Sequence, residues 1–579
     1  MRVRIQQGKL EKFAGDLLVL KWVQGQKMPA RPVGGDGSTG AVDKALSGLI
    51  SKMIKEEGFK GKEGETLVFP ILHGKIAAKK VMVLGLGEQK NVTPELIRKS
   101  SARIVKEARR QKSKRVGTIF IGTGTAGIDP FTAAKAMTEG ALLGSYAYSK
   151  YKSAEARKDV AFPSELTIVT AGVHEVSPSP VLRTSSPEGV EDGPSERRPR
   201  GGQGEGLRGG EKLKITEAQR GIREGEIYAH ATIFARELVN EPASNMVPKT
   251  LADVARSLAY PSPGLRPSSP SGRGEGEGVS VKILNRAECE KLGMGAYLGV
   301  AKGSDHEPYF IHLVYKPPHL ASGHPLPAVL QGEGRVRVKK IAIVGKGITF
   351  DSGGLSLKPA QHMETMKLDM AGCAAVLGIF SALPKLKPNV EVHGISAVCE
   401  NMPSGRAMKP GDIVRTISGK TIEVLNTDAE GRLTLADAFG YVNKFVKPDA
   451  MIDMATLTGA CMVALGEEVA GYMGNDRALL DNVKKASEAS GERAWELPLI
   501  EEYRDQTKSH VADFSNITPS RYGGAITAGL FLEAFVEKKS WVHMDIAGPA
   551  WADKEVIPYM PKGGTGFGVR TMLELLKSF

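Results

Sequence analysis

Short apolar runs ending in glycine recur along this chain, each followed by a stretch with helical spacing. KVMVLGLG (80–87), VGTIFIGTG (116–124) and ELTIVTAG (165–172) are separated by PELIRKSSARIVKEARRQ and FTAAKAMTEGALLGSYAYSKY. Runs this short, bounded by turn residues, read as buried strands, and the segments between them space their apolar residues as helices do. Such alternation specifies an α/β domain with a largely parallel sheet.

At 579 residues the chain is too long for one core. Its composition breaks at 175–213, where Pro, Gly, Ser and charged residues leave too few apolar groups to offset the entropy of ordering. PSPVLRTSSP (178–187) returns as PSPGLRPSSP (261–270), agreeing at eight of ten positions, and HPLPAVLQGEGRVR (324–337) is of similar composition. The spacing is irregular, so these read as low-complexity insertions and not as solenoid repeats, with a binding segment as the alternative. From 214 order resumes. ITEAQRGIREGEIYAHATIFARELVN reads as a long amphipathic helix, and NEPASNMVPKTLADVARSLA as a turn and a second helix. VSVKILN, PYFIHLVY, KKIAIVG, VEVHGISAV and DAMIDMAT read as strands. The expected organisation is a smaller, basic N-terminal α/β domain (1–174), a linker (175–213) and a larger C-terminal α/β domain (214–579) on a central mixed sheet. Insertions interrupt the second domain near 260–279 and 316–337.

Net charge is +13, but residues 1–160 hold 30 Lys+Arg against 15 Asp+Glu, so the remainder is nearly balanced. RKSSARIVKEARRQKSKR (98–115) has nine basic residues and one acid. It reads either as a solvated helix face or as a polyanion-binding stretch, DNA included. The four cysteines are far apart and form no CxxC pair, which favours a reducing compartment. Asp16 interrupts the only signal-peptide candidate, and no run approaches the roughly 20 apolar residues of a membrane span. A cytoplasmic protein with no membrane partner is expected.

The chemistry gathers in two stretches. KKIAIVGKGITFDSGGLSLKPAQHMETMKLDMAGCAA (339–375) supplies Lys346, Asp351, Lys358 and Asp369, and NTDAEGR (426–432) supplies Asp428, Glu430 and Arg432. In an extended backbone the last three, at every second position, would point the same way. Brought together at strand ends, four acids remain ionised side by side if hard divalent cations sit among them. Taken alone, Asp428 reads equally well as a cap on the helix begun by LTLADAF, with Glu430 and Arg432 pairing on the surface. Spacing alone points to a metal hydrolase and names no substrate.

VGKGITFDSGG, SLK, MKLDMAG, NTDAEGRLTLADA, NEPASNMVP (240–248) and MATLTGA (454–460) resemble the signature stretches of the leucyl aminopeptidase family, cytosolic dimetal peptidases. The resemblance covers most of 214–579 in order, which makes this the catalytic domain. The first domain is compatible, with SYAYSKYKS similar to a family segment, and is expected to be macro-domain-like. The resemblance implies that Lys346, Asp351, Asp369, Asp428 and Glu430 ligate two divalent ions, manganese or zinc, with Asp351 and Glu430 bridging them. It implies Lys358 and Arg432 as the catalytic pair, with bicarbonate at Arg432 as general base. Met366, Asn426, Leu457, Thr458 and Gly459 would line or orient the first substrate residue, although Met366 also reads as plain core filling. The implied substrates are peptides with a free N-terminus, leucine and similar residues being released, and the implied assembly is a homohexamer.

GTGTAG (122–127) fits a dinucleotide-binding pattern, but no acid follows at the end of a second strand, and a tight turn is the better reading. DNA binding through the basic domain, and an enzyme blocked by its insertions, are the remaining alternatives.

Overall fold

The computed structural model describes residues 1–26, 37–72, 75–123, 126–158, 161–170, 206–259, 278–318 and 338–579. The core of each expected insertion, and part of GTGTAG, lie outside these residues. Two compact units emerge, Met1–Glu226 and Ile227–Phe579. The long helix Gly206–Asn240 takes in the last eight residues of the expected linker and contributes to both units.

The first unit carries a sheet of β1 (Arg2–Gln7), β2 (Leu17–Trp22), β3 (Thr66–Pro70), β4 (Lys80–Gly85), β5 (Arg115–Thr118) and β6 (Glu165–Thr170), in the order β1-β6-β5-β2-β4-β3. Every pairing is parallel except β3 with β4. VGTIFIGTG forms a strand only as far as Thr118. The basic run is not simply a solvated face. It lies on the helix Pro94–Arg110, where Arg98 is 2% exposed and donates to Glu139 Oε2 and Glu95 Oε2, both at 2.6 Å. Arg109 lies over the Phe162 ring at 4.8 Å.

The second unit contains β7 (Val279–Leu284), β8 (Tyr309–Tyr315), β9 (Lys340–Gly345), β10 (Gly347–Asp351), β11 (Glu391–Asn401), β12 (Asp412–Arg415), β13 (Thr421–Val424), β14 (Ala450–Ala455), β15 (Ala470–Gly474), β16 (Ala494–Glu496), β17 (Phe514–Ser515) and β18 (Ser540–Asp545). Its main sheet is mixed, in the order β16-β15-β18-β14-β9-β11-β8-β7, with β10 added along β11. β18, β14, β9 and β11 are mutually parallel at its centre. One face packs on the buried helix Ala371–Leu386, the other on Gly431–Tyr441 and Gly524–Val536. The stretch Ala360–Leu386 is long and apolar enough to cross a membrane, contrary to expectation, but 83% of its apolar window is buried inside the fold. It is a core element of this sheet.

Lys346 is the one residue between β9 and β10, which keep the same register along β11: Val344 opposite Ile395, Gly347 opposite Val398. A bulge then intervenes between Ile348 and Asp351.

Candidate metal centre

The four central strands end side by side, and polar residues gather there. Lys346 follows β9, β10 ends on Asp351, β11 on Asn401 and β18 on Asp545, while Thr456 follows β14. β9 lies between β11, the next strand along the chain on that path, and β14, which comes later. Ligands of open α/β sheets bind at such a reversal, outside the carboxyl ends of the strands.

Five positions separate Lys346 from Asp351, which in a regular strand would set them on opposite faces. The bulge absorbs one residue and returns Asp351 to the side of Lys346. Asp369 arrives on the single turn Met366–Met370 that precedes the buried helix. Asp428 and Glu430 are not extended as their alternation suggested. Glu430 is already helical in its backbone (φ −81°, ψ −31°), and Gly431–Tyr441 follows at once. That helix has no side-chain cap, so the capping reading of Asp428 fails.

Lys346 Nζ lies 2.7 Å from Asp369 Oδ1 and 2.9 Å from Glu430 Oε1, and donates to the Thr456 carbonyl at 2.9 Å. Lys358 Nζ lies 2.9 Å from Asp351 Oδ2 and 2.5 Å from Asp428 Oδ1. Oxygens of Asp351, Asp428 and Glu430 all lie within 4.8 Å of one another. Two glycines make room. A Cβ on Gly431 would come within 2.6 Å of Lys346 Cε, and Gly353 (φ +87°) would carry one 2.8 Å from Asp428 Oδ1.

Burial first, then Glu430, lifts the Asp351 carboxyl above the ordinary range. Burial lifts Asp369 well above it, and burial with Asp351 lifts Asp428. Burial works against both ammonium groups, yet the surrounding carboxylates outweigh it and hold Lys346 and Lys358 above the usual lysine value. The cluster therefore draws in more positive charge than two lysines supply. Asp369 Oδ2 is buried without a hydrogen-bond partner among the described residues, and Glu430 Oε1 and Asp428 Oδ1 meet their lysines without hydrogen-bond geometry. Hard oxygen donors left open in this way, beside an amine, fit divalent cations.

Sequence reasoning missed the side chains that hold the donors. Asn401 Nδ2 donates to Asp351 Oδ1 (2.8 Å) and to the Thr427 carbonyl (2.9 Å), tying two donor segments together. Thr456 Oγ1 donates to Asp369 Oδ1 at 2.7 Å. Thr427 Oγ1 donates to the Gly353 carbonyl (2.7 Å) and accepts from Ser356 N–H (2.8 Å), which fixes the loop bearing Lys358. Asn401 and Thr456 share one usable signal: each is the first uncharged polar residue at the end of an apolar strand.

Arg432 is half-buried, its guanidinium 5.7 Å from the Phe531 ring centroid and its Nε without a partner among the described residues. Burial lowers its pKa to about 10. Asn426 Oδ1 accepts from Asp428 N–H at 2.8 Å. Met366 is half-buried and is part of neither of the two hydrophobic clusters that flank the main sheet. Leu457 packs partly against the core, Thr458 Oγ1 caps the short helix Gly459–Leu465 through Cys461 N–H (3.0 Å), and Gly459 is exposed with open space at its Cβ position.

Comparison with known proteins gives a consistent result. The profile "Cytosol aminopeptidase family, catalytic domain" matches residues 233–573, and "Cytosol aminopeptidase family, N-terminal domain" matches 31–155. A probable cytosol aminopeptidase of Aquifex aeolicus is 40% identical, over 100% of this chain and 98% of its own. One from Gloeobacter violaceus is 41% identical over 99% and 98%. Among solved structures, a tomato leucine aminopeptidase mutant aligns with a TM-score of 0.76 at 33% identity, covering 100% of this chain and 96% of its own. The bottromycin maturation enzyme BotP in complex with Mn aligns at 0.73 and 30% identity, covering 97% and 99%.

Proposed function

The chain belongs to the cytosol aminopeptidase family, and from that membership we propose that Lys346, Asp351, Asp369, Asp428 and Glu430 would hold two divalent cations, manganese or zinc. It is a metal-dependent aminopeptidase, a hydrolase that releases N-terminal residues, leucine and similar ones, from peptides. Bound ions of this kind supply Lewis acidity and a nucleophile from water at neutral pH. The observation that carries the assignment is the convergence of four carboxylates with two lysines at the ends of parallel strands.

Lys358, protonated and held by Asp351 and Asp428, donates to the negative charge that develops on the scissile carbonyl oxygen, a contribution typically worth about 3–4 kcal/mol. Arg432, with its pKa still near 10, stays charged at neutral pH and offers a fork for an oxyanion; it would hold bicarbonate, which would supply a general base there. Met366, Asn426, Leu457, Thr458 and Gly459 line the place of the first residue. A cytoplasmic location fits the name its relatives bear. A homohexamer is the proposed assembly, checked by sedimentation.

Hydrolysis of Leu-p-nitroanilide with added Mn²⁺ tests the reading. Turnover, its loss on chelation and its absence with N-acetyl-Leu-p-nitroanilide are expected. No turnover with either Mn²⁺ or Zn²⁺ overturns it.

A further inference from the structure

We infer that Asp545 is a positioning residue, one that sets the substrate-side strap Thr456–Gly459 against the metal centre; the inference rests on the aminopeptidase reading above. Asp545 ends β18 opposite Ala455, the last residue of β14, where the strap departs. Its side chain is 0% exposed and pairs with no cation among the described residues. A buried carboxylate is costly unless hydrogen bonds surround it. Here four do. Oδ1 accepts from the backbone N–H of Leu457 (3.2 Å), Thr458 (3.4 Å) and Ala547 (3.1 Å), and Oδ2 accepts from Thr458 Oγ1 (2.7 Å).

The planar trans peptide turns this arrangement into a statement about the opposite side. An N–H and the carbonyl of the residue before it point in opposite directions. With the N–H groups of Leu457 and Thr458 aimed at Asp545, the carbonyls of Thr456 and Leu457 face away from it. The Thr456 carbonyl does so visibly, since it accepts from Lys346 Nζ at 2.9 Å, and Thr456 Oγ1 reaches Asp369. The Leu457 carbonyl is left on that same side as an acceptor for an N–H of the bound peptide. One end of the strap is thus tied to proposed metal ligands and the next two residues to Asp545. The Asp545 charge also acts on Arg432, second after Glu430.

Asp545→Asn keeps the shape but removes the charge and replaces an acceptor of Thr458 with a donor. KM for Leu-p-nitroanilide should rise about 10-fold, from the loss of charge-assisted hydrogen bonds, with kcat falling far less and bound Mn²⁺ unchanged by elemental analysis. Glu492→Gln is the control. Glu492 is likewise buried and accepts from Gly568 N–H, Thr571 N–H and Thr571 Oγ1, but touches no part of the strap. It should lower Tm and leave KM alone. Thr458→Val, which removes the Oδ2 contact together with the cap on Cys461 N–H but leaves the Oδ1 contacts, should give part of the KM effect, and serves alone where Asp545→Asn does not fold. A fall in Tm with KM unchanged in both strap variants, or loss of Mn²⁺ from Asp545→Asn, overturns the inference. An unmodified enzyme inert with Mn²⁺ and Zn²⁺ overturns the aminopeptidase reading instead.

Discussion

The helix Gly431–Tyr441 has a buried acid at its start and another two turns on, and the two differ in what surrounds them. Asp437 is wholly buried, and its oxygens accept the N–H groups of Tyr297 and Ile417, each at 2.8 Å, so two neutral donors complete it. Glu430 is 1% exposed, yet its Oε1 has no hydrogen bond among the described residues, and it faces Lys346 beside the carboxylates of Asp351 and Asp428. Burial of an acid is therefore no mark of a functional site. What marks one is an acid left short of donors in the company of other acids.

Substitution at each end should separate the two roles. Glu430→Gln should lower kcat/KM by roughly 10³-fold, as loss of a preorganised charge in an active site does, and reduce bound metal without lowering Tm. An active variant with full metal content would erase the contrast. Gly431→Ala places a methyl against Lys346, and should cost about 10- to 100-fold in kcat/KM and in metal affinity. Alanine is the better helix former, so a gain in stability with activity intact would show that the glycine serves only its backbone.

Asp437→Asn should behave in the opposite way. One of its two N–H donors would then face an amide NH₂, costing about 1–3 kcal/mol in urea unfolding, while kcat/KM in excess Mn²⁺ holds. A further effect is in pH dependence. Burial lifts the Asp437 carboxyl to about 7 against the pull of its backbone donors. The folded protein then binds more protons than the unfolded chain between about pH 4 and 7, so stability falls as pH rises through that window, by at most about 1.4 kcal/mol per unit. Asp437→Asn should lack this component, and identical slopes for the two proteins would show that the carboxyl titrates normally.

Much of this was legible in the residues because strands buried on both faces announce themselves as apolar runs. β4, β6, β9, β11 and β14 lie where such runs stand, and β7 and β8, toward one edge of the sheet, lie where burial alternates. Their lengths were less legible: β5 stops at Thr118 although its neighbours β2 and β6 run on to Trp22 and Thr170. The Gly-rich start of the helix Gly206–Asn240 was read as linker because extending an existing helix demands little of local composition. The basic run gave no hint that Arg98 meets Glu139, 41 residues away. Spacing proposed the acids of the candidate metal centre, and the family resemblance gave each an expected role. Alternation at 428, 430 and 432 suggested an extended segment where a helix begins. Asn401, Thr456 and Asp545 carry no pattern of their own; only position at a strand end could single them out.

The bulge between Ile348 and Asp351 sets a limit on improving this protein. Ironing it out at constant length, so that each residue of β10 faces one of β11, would swing Asp351 to the far side of the sheet, whereas deleting Thr349 or Phe350 would leave Asp351 on the side of Lys346. A redesign that rewards a regular ladder would thus be drawn to the irregularity that keeps Asp351 and Lys346 on common ground, and would trade a proposed metal ligand for backbone regularity.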